Sequence, residues 1–220
     1  MPRIIYKDKN AVAIIKPVGM PSQSDPSGDL DAMSATAKML SELGENDALW
    51  LVHRLDRAVG GVMIFARTKN AAAQLSSHIT DGTFGKEYLA VIEGECEAGE
   101  MRDYLFKDSV KSKSFVVSGI RKGAKLAVLE QSTLKTVNID GKTLSLVKIK
   151  LLTGRFHQIR AQFSSRTHPL VGDKKYGSRD EIAHTPSLFA TSVAVKGING
   201  GKAITATPDK EKYPWSLFDL

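Results

Sequence analysis

The residue whose setting best suits chemistry is Asp56, an acid flanked by arginines in the segment His53-Arg54-Leu55-Asp56-Arg57. Apolar runs at residues 49–52 and 60–65 lie on either side of this segment and resemble strands. Two neighbouring arginines favour the ionised carboxylate, and they also suit a phosphate backbone. The segment therefore predicts an acid used as a nucleophile on a polyanion.

A second cluster of chemical groups is Thr-Gly-Arg-Phe-His-Gln-Ile-Arg at residues 153–160, which follows an apolar run and is predicted to open a short helix. On such a helix His157 and Arg160 lie one turn apart on the same face. The downstream segment 168–177 is rich in turn residues, and its glycines allow tight backbone paths. This segment is predicted to be a structural clamp.

Length and composition limit what can be built around these clusters. The chain has 220 residues, of which 42% are hydrophobic, and this is enough for one substantial core and a single domain over residues 1–220. Lys and Arg exceed Asp and Glu by 31 to 24, a net charge of +7. Such an excess favours an acidic partner, and nucleic acid is the first candidate.

Cysteine usage and hydropathy exclude several classes of protein. Cys96 is the only cysteine, so neither an intramolecular disulfide nor a thiolate-rich metal site can form, and a reducing, cytoplasmic setting fits. The N-terminal residues contain no long apolar stretch, and no window approaches the roughly 20 apolar residues of a membrane span. We therefore expect a protein that is neither exported nor inserted in a membrane.

The elements that position the two clusters are short helices among many strands. Tyr88 is expected to share one strand face with Ala90 and Ile92, and Gly44 is expected to end the first helix. This order of elements predicts an α+β fold with a mixed, largely antiparallel sheet flanked by helices. The predicted elements are hairpins at 4–6 with 11–15 and at 126–137 with 143–152, a loop at 20–29, helices at 30–43 and 70–79, a strand at 86–94, closing strands at 188–195 and 203–207, and a packing segment at 214–218.

Five motifs occur in the order expected of the RluA-type pseudouridine synthases, and this chain resembles that family over residues 14–177. The motifs are Ile-Lys-Pro-Val-Gly at 15–19, His-Arg-Leu-Asp at 53–56, Lys-Glu-Tyr-Leu-Ala at 86–90, Gly-Arg-Phe-His-Gln-Ile-Arg at 154–160 and Gly-Asp-Lys-Lys-Tyr-Gly at 172–177. The resemblance implies a pseudouridine-synthase-like fold and an enzyme that isomerises uridine in structured ribosomal or transfer RNA.

The resemblance also implies roles for individual residues. Asp56 would attack the target uridine covalently while the glycosidic bond moves from N1 to C5 of the base. Arg160 would pair with Asp56, and Tyr88 would stack on the base and help to remove the C5 proton. This reaction needs no redox change and no Lewis acid, so the resemblance implies no metal and no small-molecule cofactor.

Further residues of the same motifs are expected to bind substrate. Arg54 matches the residue that displaces the target nucleotide from its helix, a step needed because the reactive atoms are inaccessible there. Lys86 is expected either to orient a loop or to contact phosphate. The remaining expected substrate-binding residues, all from the motif at 154–160, are Arg155, His157 and Ile159.

Three features depart from the family pattern. After Asp56 the family usually has Thr-Ser-Gly at the third to fifth positions, whereas this chain has Val59-Gly60-Gly61, and Phe156 stands in place of Thr or Ser. Many relatives carry an N-terminal S4 RNA-binding domain, but here the first motif begins within 20 residues of Met1. A stand-alone catalytic domain that acts as a monomer is expected, with RNA affinity from this domain or from the shape of the substrate.

Other interpretations of these residues and segments stay open. Taken alone, Asp56 would be a surface carboxylate paired with Arg54 or Arg57, Tyr88 an ordinary strand aromatic and His157 a hydrogen-bonded structural histidine. The basic stretch at 107–125 is either an RNA-binding surface or a solvated hairpin that protects a sheet edge. The alternative functions are a catalytically silent RNA-binding or RNA-folding protein and a hydrolase that uses Asp56 on a phosphorylated or glycosylated small molecule.

Overall fold

The computed structural model describes residues 1–220 and divides them into two compact units. Unit 1 comprises Met1–Lys86 and Phe189–Pro208, and unit 2 comprises Glu87–Leu188 and Asp209–Leu220. The chain therefore passes between the units three times.

Unit 1 contains a mixed sheet whose strand order is β1-β2-β4-β10, with β3 paired to β4 and β11 paired to β10. The pairs are antiparallel except for β4 with β10, which run parallel. The elements are β1 (Arg3–Lys7), β2 (Ala11–Lys16), α1 (Ala32–Glu42), β3 (Trp50–Leu51), β4 (Gly60–Ala66), α2 (Lys69–Thr80), the first two residues of β5 (Gly85–Glu93), all but the first residue of β10 (Leu188–Ala194), and β11 (Ile204–Thr205).

Unit 2 contains an antiparallel sheet of strand order β5-β9-β8-β6-β7. The predicted hairpin of β8 and β9 is confirmed, and its two turn residues, Asp140 and Gly141, have φ of 50° and 73° as a type I′ turn requires. The remaining elements are β6 (Gly99–Asp108), β7 (Lys113–Val117), β8 (Ala124–Ile139), β9 (Lys142–Leu151) and α3 (Gln158–Ser165). The α+β class with mixed, largely antiparallel pairing is thus confirmed.

The helix ends follow from local chemistry. Asp31 caps α1 by accepting the Ser34 N–H at 2.9 Å, and Thr68 caps α2 by accepting the Ala71 N–H at 3.1 Å. As predicted, Gly44 ends the first helix: its φ is 71°, and its N–H donates to the Ser41 carbonyl while the next N–H donates to the Leu40 carbonyl. None of the helices combines the length and the apolar character that crossing a membrane requires.

Each unit has its own core. In unit 1 all seven residues of β4 are buried, and Val62 and Ile64 pack with Leu75 of α2 and with Phe84. In unit 2 Phe218 is buried in a cluster that includes residues of β5 and β9. This docking confirms the packing role that the sequence predicts for residues 214–218.

Gly61 makes the closest backbone approach in unit 1, where β4 meets β10. Its φ is 122°, and a Cβ atom there would lie 2.2 Å from the Ala190 carbonyl oxygen. We expect Gly61→Ala to lower the free energy of unfolding by about 3 kcal/mol, because it adds a backbone clash to an unfavourable φ. Gly82 also has a positive φ but open space around it, so Gly82→Ala should cost only about 1 kcal/mol. Urea unfolding measures the free energy of unfolding of both variants, and an equal decrease in the two would contradict the clash at Gly61.

Candidate active site

Asp56 lies in the loop between β3 and β4 and is partly buried. The buried Ser22 holds this loop at Leu55, because its hydroxyl donates to the Leu55 carbonyl at 2.7 Å and accepts the Leu55 N–H at 3.1 Å. A turn follows in which the Val59 N–H donates to the Asp56 carbonyl at 2.9 Å. The backbone on both sides of the carboxylate is therefore fixed.

His53 anchors the start of the same loop to β4. Its Nε2 accepts the Ile64 N–H at 3.1 Å, and its ring packs against Phe84 with centroids 5.3 Å apart. Burial, and then the charge of Lys86, lower the pKa of His53 to about 3. The imidazole is therefore neutral and accepts through Nε2, which places its proton on Nδ1. This histidine positions the loop where the two-residue pairing of β3 with β4 ends.

The ammonium group of Lys16, at the end of β2, is completely buried. It donates to the carbonyls of Met20 at 2.7 Å and Pro17 at 3.0 Å, and lies 3.4 Å from that of Arg57 in the Asp56 loop. Burial lowers the pKa of Lys16 to about 8, while the charge of Asp56 opposes this shift. By reciprocity the Lys16 ammonium favours the ionised carboxylate of Asp56. Sequence reasoning missed this residue, although a lysine that ends an apolar strand beside Pro-Val-Gly was the available signal.

The titration of Lys16 gives stability a pH dependence of defined sign. Because its pKa of about 8 lies below the ordinary 10.5, the unfolded chain binds the proton more tightly between these pH values. The contribution of Lys16 to the free energy of unfolding should therefore rise from pH 8 to pH 10.5, by about 3 kcal/mol. Urea unfolding at pH 7.5 and 10.5 should show this rise in the wild type but not in Lys16→Met. The same pH dependence in both proteins would contradict it.

The charged residues around Asp56 differ in their surroundings. Arg54 is exposed. Arg57 is also exposed and bonds to Asp29 and to the Ser27 hydroxyl at 3.0 Å. Arg57 thus has a carboxylate partner, Asp29, in the loop before α1. Lys86 is half-buried, with its ammonium 5.9 Å from the centroid of the Phe84 ring.

In unit 2 the guanidinium of Arg160 is held by a buried carboxylate. Its Nε donates to one oxygen of Asp173 at 2.6 Å and its Nη2 to the other at 2.8 Å, and the side chains are only 7% and 1% exposed. The guanidinium carbon also lies 4.9 Å from the centre of the Tyr176 ring. The sequence did not predict this ion pair. Asp173 and Tyr176 both belong to the segment 168–177, which acts here as the structural clamp that was expected.

The position of His157 corrects one prediction. It does not lie on the helix with Arg160 but precedes α3 as its N-cap residue, with a φ of 51°. Its Nδ1 lies 3.1 Å from the Tyr176 hydroxyl oxygen, which also accepts the Ser114 N–H at 2.8 Å. Burial, and then the charges of Arg160 and two lysines, lower the pKa of His157 to about 3. The imidazole is therefore neutral, and its hydrogen bond with the tyrosine hydroxyl favours a structural role.

The other predicted site residues of unit 2 lie on different elements. Tyr88 is buried on β5, where its register partner is Ile149 of β9. Ile159 is buried in α3, which favours packing, while Arg155 is exposed and its Nε donates to the Leu126 carbonyl at 2.8 Å. Asp56 and Lys86 belong to unit 1, whereas Tyr88, Arg155 and Ile159 belong to unit 2. The pairing of Asp56 with Arg160 stays a prediction.

Comparisons with known proteins point to one family. The family model for RNA pseudouridylate synthase matches residues 10–165. An uncharacterized RNA pseudouridine synthase of Aquifex aeolicus is 34% identical over 180 residues, which are 79% of this chain and 55% of that protein. The tRNA pseudouridine synthase C of Haemophilus ducreyi is 34% identical over 188 residues, 79% of this chain and 73% of that protein.

Solved structures show the same fold. Human RNA Pseudouridylate Synthase Domain Containing 4 superposes with a TM-score of 0.77 at 22% identity, covering 95% of this chain and 89% of that one. Human RNA Pseudouridylate Synthase Domain Containing 1 gives a TM-score of 0.75 at 21% identity, covering 98% and 86%. The chain spans 55%, 62% and 59% of the length of three curated relatives that it matches. The family match covers most of the chain and agrees with the motif resemblance, and the chain belongs to the RNA pseudouridylate synthase family.

Proposed function

We propose that this protein isomerises specific uridines to pseudouridine in structured RNA, with Asp56 as its nucleophile. The observation that carries the proposal is the setting of Asp56, in a loop fixed by Ser22 and His53 and beside the buried ammonium of Lys16. Relatives named tRNA pseudouridine synthase C and ribosomal large subunit pseudouridine synthase C support transfer or ribosomal RNA as the substrate class. We expect the two units to form one catalytic domain, active as a monomer in the cytoplasm.

The proposed reaction rearranges one nucleotide without gain or loss of electrons. The Asp56 carboxylate attacks the target uridine and forms a covalent bond to it, and the bond from C1′ to N1 breaks. A bond from C1′ to C5 then replaces that bond, and the bond to Asp56 breaks, which regenerates the carboxylate. C5 then loses its proton and N1 gains one. Tyr88 stacks on the base and helps to remove the C5 proton. No step requires a metal or a cofactor.

Arg160 is proposed to orient and stabilise the ionised Asp56. A guanidinium carries five N–H donors in a rigid plane, and Asp173 engages two of them. Asp173 thereby fixes the plane before any substrate binds, which is the preorganisation that electrostatic stabilisation requires. Lys16 supplies a second positive charge for the same carboxylate. Together the two cations would keep Asp56 ionised, as a nucleophile must be.

The remaining predicted residues are proposed to bind the RNA. Arg54 is exposed one residue from a buried leucine in the Asp56 loop, so it can enter the space that the displaced nucleotide leaves. Lys86 and Arg155 would contact phosphates. His157 and Ile159, which are neutral or apolar and largely enclosed, would shape the surface beneath the substrate.

The test is tritium release from total RNA labelled at uridine C5, prepared from cells that lack this gene. We expect release by the purified protein, and mapping of pseudouridines in the treated RNA would then identify the substrate. A known synthase acting on RNA labelled in the same way is the positive control. Release by the control alone would contradict the proposal and leave a catalytically silent RNA-binding protein, for which the absent Thr-Ser after Asp56 is the supporting observation.

A further inference from the structure

Unit 2 carries a surface in which lysines lie over aromatic rings, here called the basic–aromatic surface and formed by Lys107, Lys113, Phe156, His157 and Tyr176. The Lys107 ammonium is 4.7 Å from the centre of the Phe156 ring, and that of Lys113 is 4.6 Å from the Tyr176 ring. The basic stretch at 107–125 contains a single aromatic residue in the sequence, Phe115. The fold adds two rings from residues far along the chain, so the aromatic content of the surface was underestimated.

Hydrogen bonds hold the surface in place. The Ser114 hydroxyl of β7 donates to the Phe156 carbonyl at 2.6 Å, and the Ser114 N–H donates to the Tyr176 hydroxyl at 2.8 Å. Lys113 donates to the Lys175 carbonyl at 2.7 Å, and Lys175 donates to the Ser112 carbonyl at 2.9 Å. One hydrogen bond therefore ties the turn that carries Phe156 to the β6–β7 hairpin, and three tie the segment of Lys175 and Tyr176 to it.

The Phe156 ring is backed by a neutral partner. Phe156 and His157 stack with centroids 3.8 Å apart and an interplanar angle of 19°. Because His157 covers one face of the ring, the exposed Lys107 occupies the other. Burial and the nearby positive charges lower the pKa of His157 to about 3, so the support stays uncharged at any physiological pH.

The charge of the hairpin suits a polyanion. Between residues 104 and 129 the chain has six Lys and Arg residues and a single acid, Asp108. The Asp108 carboxylate accepts the Lys111 N–H at 2.9 Å within the hairpin turn. The net positive charge lies next to the Phe156 ring, whose face opposite His157 is covered by the side chain of a lysine. A basic surface that adjoins such a ring is typical of single-stranded nucleic-acid binding.

We propose that Phe156 is a stacking platform for an unpaired nucleobase of the RNA, and that Lys107 moves from the ring to the adjoining phosphate. Stacking of a base on an aromatic ring is stronger than a cation–π contact at an exposed site, so the exchange is favourable. The assignment rests on the proposed function only in that RNA is the ligand. It adds a base-binding position that is separated from Arg160 by two side chains in contact, His157 and Tyr176.

The experiment is binding of a 12-nucleotide single-stranded RNA without uridine, which cannot be a substrate, to the full-length protein. Affinity is followed by fluorescence anisotropy over a range of salt concentrations, and stacking by quenching of one 2-aminopurine. Phe156→Leu should weaken binding about tenfold and abolish the quenching while leaving the salt slope unchanged. Phe156→Tyr keeps an aromatic ring and should retain both the affinity and the quenching. This result would show that the losses in Phe156→Leu come from the missing ring. Lys107→Gln should reduce the salt slope by about 0.7.

Two controls match these changes. Phe115→Leu removes another aromatic of the same hairpin, and Lys135→Gln removes a lysine that pairs with Asp219; both should bind like the wild type. Wild-type binding by Phe156→Leu, or an equal loss in Phe115→Leu, would overturn the assignment. Tritium release is measured separately. If the wild type releases tritium and Phe156→Leu binds the RNA like the wild type, the stacking platform is rejected and the proposed function is kept. If the wild type releases no tritium but the variants show the predicted binding losses, the proposed function is rejected and the stacking platform is kept.

Discussion

Asp56→Asn should abolish tritium release, lowering the rate by at least about 10⁴-fold, on the order of the loss when a covalent nucleophile is removed. The amide has nearly the shape of the carboxylate but cannot attack the substrate. Folding and RNA affinity should remain close to wild type, because Ser22 and His53 hold the loop through atoms outside the Asp56 side chain. Single-turnover assays with the mapped substrate would measure the rate. RNA-binding assays would measure the affinity, and thermal unfolding would measure the stability of the fold.

The matched control is Asp219→Asn, which makes the same chemical change at an exposed ion pair with Lys135. Its rate should equal that of the wild type. If Asp56→Asn kept more than about a tenth of the wild-type rate, a residual far above what loss of a nucleophile allows, the nucleophile would have to be another group. Both variants remove one negative charge, so a difference between their rates is due to the position of the substitution.

Asp173→Asn should be the most destabilising substitution at the site. It leaves the buried guanidinium of Arg160 beside a neutral amide, and breaking a buried ion pair from one side costs about 3–5 kcal/mol. For a chain of this size the unfolding midpoint should fall by roughly 10 °C. Trp215 reports on unit 2 alone in a Trp50→Phe background, since the chain has one tryptophan in each unit.

Asp209→Asn provides the control within unit 2. Asp209 forms an exposed pair with Lys212 at 3.5 Å, and its loss should leave the midpoint unchanged within error. Activity gives a second readout, because Arg160 without its partner loses its fixed orientation and turnover should fall even well below the new midpoint. Equal midpoints for Asp173→Asn and the wild type would contradict the role assigned to the pair.

The parts of the fold that local signals specify were predicted from the sequence. Gly44 ends α1, Asp140-Gly141 joins β8 to β9, and alternating apolar residues mark β5. In each case the decisive interaction joins residues within a few positions of one another, so periodicity and turn chemistry reveal it. The strand β7 was predicted only as part of a basic hairpin, because its apolar residues Phe115, Val116 and Val117 are consecutive and do not alternate with polar ones.

The supporting contacts of the site were not predicted, because they join residues far apart in the chain. Lys16 reaches a carbonyl of the Asp56 loop, 41 positions away, and the ring of Tyr176 contacts Lys113, which precedes it by more than sixty residues. The motifs contain both Arg160 and Asp173, but they gave Asp173 no role and did not predict the buried ion pair that joins the two. Single residues with reactive groups can be recognised from type and spacing, whereas what fixes their orientation depends on tertiary packing.

The three chain crossings between the units have a consequence for synthesis on the ribosome. The parallel pairing of β4 with β10 joins Gly61 to Ala190, so the Gly60–Gly61 end of β4 gains this partner only after residues 87–188 of unit 2 have been made. At about 5–20 residues per second this wait lasts on the order of ten seconds. Pairing over such a sequence distance is also slow to form. The nascent chain therefore keeps the Gly60–Gly61 end of this apolar strand unpaired during that time, and we expect the protein to benefit from chaperones while it is being translated.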